Sequence, residues 1–363
     1  MPSTTIPQNA PAILLGGGRF GYKETSAVTN ITEVSQLQPL VDVLHAHGHT
    51  TIDTSRLYPA FGTHGGSETL IGLTTHTQFG GLVDTKVLSN PGDHSPEKLR
   101  ASIHGSLKSL GVGKINTIYL HYPDRTTPLT VSVPVIAGFV VEGLASRWGL
   151  SNYSLSEVKE IISICTTQNL PLPAVYQGHY NALVRSAEAE LFPLLRKHGI
   201  SFIAWSPSAS GAFDASSSLL TQEGAVGDLQ RRFYGFPQAR AAIKHVQDLG
   251  TKYGISGHEV ALRWVRYHSA LDDSKGDGMI VAARNEARLE ETLTGLERGP
   301  LPEEIADAVS GVWEQVKEGV PGDWDWIGDW APEERSEVKN MEGEGVVGKG
   351  ETTAAQVEVR EVK

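Results

Sequence analysis

Four side chains in the first third of the chain are of types that could move a proton. Asp53 closes the short apolar run "TTID", Tyr58 follows five residues later, Lys86 follows "GLVDT", and His121 follows "TIYL". Together they make an acid–base set. A phenol titrates near about 10, too high for a ready acid at neutral pH. An ammonium beside it stabilises the phenolate and draws that value down. A carboxylate such as Asp53 holds the ammonium in place, and an imidazole such as His121 hydrogen-bonds an oxygen on which negative charge develops. Singly, each has a plainer reading. Asp53 could cap a helix, a use Thr54 and Ser55 already serve, and Lys86 could be a solvated strand-end charge. As a set at successive strand ends they read as one site.

Such a set works only if the elements carrying it converge. Short apolar runs predict strands at 12–15, 50–53, 81–85, 117–120, 146–150, 174–177, 202–205 and 278–282. Amphipathic segments between them predict helices near 33–47, 67–75, 96–110, 130–143, 154–168, 186–198, 256–268 and 286–296. Ser95 with Pro96 marks a helix start and Gly111 its stop. Ser154 stands three residues before Glu157, a capping-box spacing, and Gly199 follows the cations of "LRKHG". Eight strands alternating with eight helices predict a parallel sheet, either a closed (β/α)8 TIM barrel or an open doubly wound sheet. In a barrel the C-terminal strand ends meet at one mouth, which would unite the four residues. Residues 206–255 are too long for a simple loop and hold an extra helix in "FPQARAAIKHVQDLGTKYG"; 302–318 form another. The Glu- and Gly-rich tail from 331 to 363 reads as disordered, and residues 1–11 as flexible, leaving one domain over 12–330.

Gly16, Gly18 and Gly21 in "LLGGGRFGY" spell G-x-G-x-x-G. A dinucleotide fingerprint needs a helix opening on the last glycine and an acid about 20 residues on. Here "YKETSAVTN" has no helical period, and Asp53 lies 32 residues after Gly21. The glycines instead suit a tight loop that a ligand approaches closely. The net charge of -11 offers no basic excess for nucleic acid or an anionic membrane. The single cysteine, Cys165, lies in an apolar run and reads as a buried small hydrophobe in a reducing, cytoplasmic setting. No secretory signal or membrane-length apolar run is visible. "HAHGH" (45–49) reads as a helix end and not a metal cluster, and His268 as a helix-end histidine.

"DTSRLYPAFGTHGGSETLIG", "VDTKV", "IYLHYPD", "WGLSNYSLSEV", "PAVYQGHYNALVRSAEAELFPLLRKHGI" and "AWSPSASG" occur in order. This wording resembles the aldo-keto reductase superfamily over residues 13–324, with the nearest likeness to its aflatoxin-aldehyde (succinic semialdehyde) reductase branch. The resemblance implies NADPH-dependent reduction of an aldehyde or ketone, with Asp53, Tyr58, Lys86 and His121 as the catalytic tetrad. It places Ser151, Asn152 and Gln177 on the nicotinamide carboxamide and Trp205 on the nicotinamide ring, where tyrosine or phenylalanine is more usual. Ser206, Ser208 and Gly211 match the pyrophosphate-contacting segment. Arg288, with Arg284 nearby, falls where a 2′-phosphate binds, which favours NADPH over NADH. The same stretch departs from the pattern: Ala282 and Ala283 replace its serine, and Thr292 its asparagine.

Tyr122, Arg232 and Trp324 are the candidate substrate contacts, Arg232 by likeness to a carboxylate-holding arginine. Trp324, Trp326 and Trp330 read either as anchors of the terminus or as part of a mouth for flat carbonyls. The expectation is a cytoplasmic enzyme of secondary metabolism, a homodimer if it associates, with no nucleic-acid, membrane or metal partner. The rivals are a sugar or alcohol dehydrogenase of the same fold and a nucleotide-sensing subunit resembling potassium-channel β-subunits.

Overall fold

A computed structural model describes residues 10–22, 29–60, 64–214, 219–221 and 225–321. Eight parallel strands are hydrogen-bonded in sequence order and close on themselves as a (β/α)8 barrel, because β1 pairs with both β2 and β8. The strands are β1 (Ala12–Gly16), β2 (Thr51–Asp53), β3 (Leu82–Lys86), β4 (Ile115–Leu120), β5 (Ala145–Ser151), β6 (Val175–His179), β7 (Ser201–Trp205) and β8 (Gly278–Val281). The helices are α1 (Val34–Ala46), α2 (Gly66–Gly72), α3 (Pro96–Leu110), α4 (Leu129–Val141), α5 (Leu155–Thr167), α6 (Leu191–Lys197), α7 (Ala225–Tyr234), α8 (Pro237–Lys252), α9 (Gly257–Tyr267), α10 (Glu286–Glu297), α11 (Glu303–Ser310) and α12 (Val312–Val316). Closure resolves the alternative that pattern alone left open, in favour of the barrel.

Local chemistry explains most element ends. Ser154 and Glu157 form a reciprocal capping box at the start of α5. Pro96 opens α3, and Gly111 closes it at φ 66°, where other residues are strained. The predicted helix over 186–198 is instead a short turn at Ser186–Glu188 followed by α6. Pro193 explains the break: it has no N–H and its ring would clash one turn back, so the helix must begin just before it. The helix predicted at 302–318 divides at Gly311 into α11 and α12. The predicted extra helix appears as α8, and α7 is an addition whose helical signal is weakened by Gly227.

Two apolar clusters follow from the alternation of side chains along each strand. Leu14, Tyr119, Val175 and Ile203, all on strands, fill the barrel interior with Ile280 beside them. The larger cluster joins the outer faces of the strands to the helices and includes Cys165. Among the described residues no helix is long and apolar enough to cross a membrane. The "HAHGH" segment ends α1 and ties it to neighbours: His47 meets Glu297 at 2.6 Å, and His45 Nε2 meets His76 Nδ1 at 3.1 Å. His268 caps α9 and accepts the Leu301 N–H.

Candidate active site

Register sets the site out along the rim. Asp53 of β2 stands beside Asp84, Lys86 beside Tyr119, Ser151 beside Gln177, and His179 beside Trp205. Lys86 is fully buried, which is tolerable for an ammonium only with partners. Its Nζ donates to Asp53 Oδ2 at 2.7 Å and to the Thr54 carbonyl at 2.7 Å. These two bonds leave the ammonium a third N–H. Tyr58, on the loop between β2 and α2, has its ring centre 5.3 Å from Nζ. His121, directly after β4, meets the Tyr58 ring edge to face with centroids 5.5 Å apart.

The Tyr58 loop is held at both ends. Arg56 N–H donates to the Lys86 carbonyl, Ser67 N–H to the Tyr58 carbonyl, and the Arg56 guanidinium pairs with buried Glu68 at 3.0 Å. The "GGGRFG" run packs against this loop. A Cβ on Gly18 would touch the Tyr58 ring at 3.6 Å, and one on Gly21, at φ +148°, would strike Pro59 at 2.5 Å. What approaches Gly18 and Gly21 is the protein's own Tyr58 loop, and residues 23–28 beyond them lie outside the described residues.

Electrostatics correct one expectation. Burial pushes the Tyr58 phenol above its ordinary value; Lys86 pulls it down and Asp53 adds to the rise, and the net result is upward. Lys86 does stabilise the phenolate, but its charge is already shared with Asp53, so dehydration wins. Burial opposes the charge of Lys86, yet Asp53 and Tyr58 outweigh it and raise its pKa. His121 is held well below the usual histidine value by burial, then by Lys86 and His94. The resting site is therefore a neutral phenol, an ammonium and a neutral imidazole.

The residues expected to meet the cofactor gather on the same rim, bonded to the tetrad and to one another. Gln177 Nε2 donates to Asp53 Oδ1 at 2.8 Å across the barrel. Asn152, at φ 63°, donates to the His121 carbonyl and to Ser151 Oγ, both at 3.0 Å, and accepts from Trp205 Nε1 at 3.1 Å. Only a tryptophan at position 205 offers that N–H; the phenylalanine or tyrosine usual there has none. Trp205 lies flat on His179, with ring centroids 4.1 Å apart and 5° between planes. His179 Nε2 meets the Tyr234 hydroxyl at 2.6 Å, and burial lowers this imidazole to about 3. Sequence reasoning passed over His179, though a signal existed: it stands two residues after Gln177 and so shares its face of β6.

Beyond β7 the backbone turns left-handed at Ser206, Ala209, Ser210 and Gly211, with φ of 52°, 52°, 55° and 88°. Ser208 lies within this turn, and Ser206 Oγ meets Ser210 Oγ at 2.9 Å. Arg288 sits in the first turn of α10, where its backbone N–H is capped by Asn285. Its guanidinium is already engaged by Asp214 at 3.0 Å and Glu291 at 2.8 Å, which the expectation of a phosphate-ready arginine did not include. Arg284 is exposed just before that helix. Of the substrate candidates, Tyr122 lies with its ring 5.2 Å from His121. Arg232 is exposed on α7, beside the Phe233 that packs edge-on against His179. Trp324 and the tail lie outside the described residues. Among the described residues, no three histidine, cysteine or acidic side chains are grouped to hold a metal ion.

This rim, on this barrel, is that of an oxidoreductase enzyme. A profile of the Aldo/keto reductase family matches residues 12–314, and the chain belongs to that family. It is 34% identical over 292 residues to an aldo-keto reductase of Pseudocercospora fijiensis, covering 77% of this chain and 97% of that one. It is 34% identical over 328 residues to the oxidoreductase sirO of Leptosphaeria maculans, covering 88% and 98%. It is also 34% identical over 297 residues to the human aflatoxin B1 aldehyde reductase member 2, covering 76% and 80%. Family membership supports carbonyl reduction in general, with NAD(P)H as the cofactor class.

Proposed function

We propose that this enzyme reduces an aldehyde or ketone to the alcohol with NADPH, Tyr58 giving the proton. The observation that carries the reading is the buried Lys86–Asp53 pair held within reach of Tyr58 and His121. The reduced nicotinamide, when bound, supplies the hydride that the carbonyl carbon takes up. Tyr58, neutral at rest, donates its hydroxyl proton to the carbonyl oxygen as negative charge grows there. Lys86 stabilises the phenolate left behind, and Asp53 keeps Lys86 charged and in place. His121, uncharged, hydrogen-bonds the carbonyl oxygen and orients it.

The donor set fits a nicotinamide dinucleotide. Asn152, Gln177 and Ser151 offer both donors and acceptors, which is what a carboxamide needs. Trp205 offers a flat indole, stiffened by His179 beneath it. Left-handed backbone at three non-glycine residues after β7 costs energy, and such strain concentrates where ligands are clamped. Arg284 and Arg288 at the start of α10 support the phosphorylated cofactor. The Arg288–Asp214 pair favours a second reading, because an acid near the adenosine ribose suits the free 2′-hydroxyl of NADH. Comparing kcat/KM for both cofactors decides between them.

Tyr58→Phe is the direct test. Reduction falls by about 10³-fold, in the range of general-acid contributions, while the cofactor still quenches tryptophan fluorescence at wild-type affinity. Near-wild-type turnover in that variant removes Tyr58 from the acid role. A carbonyl panel with 2-nitrobenzaldehyde and succinic semialdehyde side by side then ranks bulky aromatic against short acidic substrates. Multiple turnovers on any of them exclude a purely nucleotide-sensing role.

A further inference from the structure

Ser55 is fully buried two residues beyond Asp53, and its hydroxyl reaches the ring that faces Tyr58. A serine oxygen has one proton to give and two lone pairs to fill. The Leu57 N–H fills one lone pair at 3.1 Å. Two acceptors then compete for the proton: His121 Nδ1 at 3.1 Å and the Lys86 carbonyl at 3.4 Å. The second distance is beyond the ordinary O–H···O range of about 2.5–3.0 Å. That carbonyl is also already served, since Arg56 N–H donates to it at 2.9 Å.

We infer that Ser55 donates its proton to His121 Nδ1 and thereby fixes the imidazole in the tautomer carrying its proton on Nε2, the form that can donate to a substrate oxygen. This rests on the reading of His121 as a hydrogen-bond donor given above. A neutral imidazole has one N–H and one bare nitrogen, and the partner of one nitrogen decides the state of the other. In the opposite tautomer Nε2 would present a lone pair to the carbonyl oxygen and repel it. His121 is uncharged, so the choice of tautomer matters; an imidazolium would donate from both nitrogens. Ser55 touches no reacting atom in this scheme. It is a positioning residue acting through His121, which is why "DTSRLY" reads in the sequence only as a capping serine.

The test is spectroscopic and kinetic. Two-bond 1H–15N correlation spectra of the uniformly labelled holoenzyme, with His121 assigned by loss of its signals in His121→Gln, report which ring nitrogen carries the proton. The expected wild-type result is a protonated Nε2 and a bare Nδ1, and in Ser55→Ala a mixture of both. Loss of one oriented donor bond lowers kcat about tenfold in Ser55→Ala, with the cofactor Kd within about twofold of wild type. A wild-type ring protonated on Nδ1 overturns the inference, as does Ser55→Ala with the tautomer and kcat of wild type. The wild-type spectrum stands even where the variant folds poorly. It is also independent of whether the enzyme turns over any carbonyl, so failure of the functional reading and failure of this one are seen separately.

Discussion

Two buried ion pairs sit at opposite ends of the barrel. At the mouth, Lys86 pairs with Asp53 at 2.7 Å. At the N-terminal end, Asp277, just before β8, is gripped by the two terminal nitrogens of Arg196 from α6. Asp277 also accepts the backbone N–H groups of Phe202 and Asp272, so both its oxygens are doubly used. The planar fork and four bonds make a closed anchor that locks the starts of β7 and β8. The mouth pair is built differently. Its cation is a lysine, a point charge with a spare donor, and its surroundings are a phenol and a neutral imidazole, which can change state. Both pairs meet the cost of burying charge with hydrogen bonds. Only the one left incompletely saturated can do chemistry.

The largest effect is expected at the mouth. Lys86→Met removes the stabiliser of the phenolate and leaves Asp53 buried without its cation. Turnover falls about 10³-fold or more, and stability by about 3–5 kcal/mol, read by steady-state kinetics and urea unfolding. At the opposite end, Asp277→Asn lowers stability by about 3 kcal/mol through the orphaned Arg196, while kcat of the folded enzyme stays within about twofold of wild type. A large loss of kcat there, with the fold intact, breaks the contrast.

Acid sharpens it more gently. His94 and His179, near the mouth, are held to about 4 and about 3 by burial, against 6.5 for an ordinary histidine. Their folded values are depressed, so the stability they contribute is present above about 6.5 and lost as pH falls toward 4 and then 3. Each costs about 1.4 kcal/mol per pH unit in that window. Thermal unfolding from pH 7 to pH 4 measures this, and His94→Gln flattens the slope. The smallest effect concerns a third, partly exposed pair. Asp214→Asn removes one of the two carboxylates on Arg288, leaving Glu291, and lowers the KM for NADPH about threefold over that for NADH, with stability changed by under about 0.5 kcal/mol. A rise in the KM for NADH instead supports the second cofactor reading.

Much of this molecule was legible along the chain. The eight strand–helix repeats, the capping box at Ser154, the stops at Gly111 and Gly199, and the placing of Asp53, Lys86 and His121 at strand ends all follow from periodicity and local propensity, which act over a few residues. What only the tertiary structure decided joins residues far apart in sequence. Gln177 reaches Asp53 across 124 positions and Ser55 reaches His121 across 66. The upward pull on Tyr58, the neutralising of Arg288 by Asp214 and the seating of Trp205 on His179 belong to the same group. The physical reason is that residue type states which charges and donors exist. Dehydration and pairing state which of them prevail, and these depend on neighbours that only barrel closure brings together.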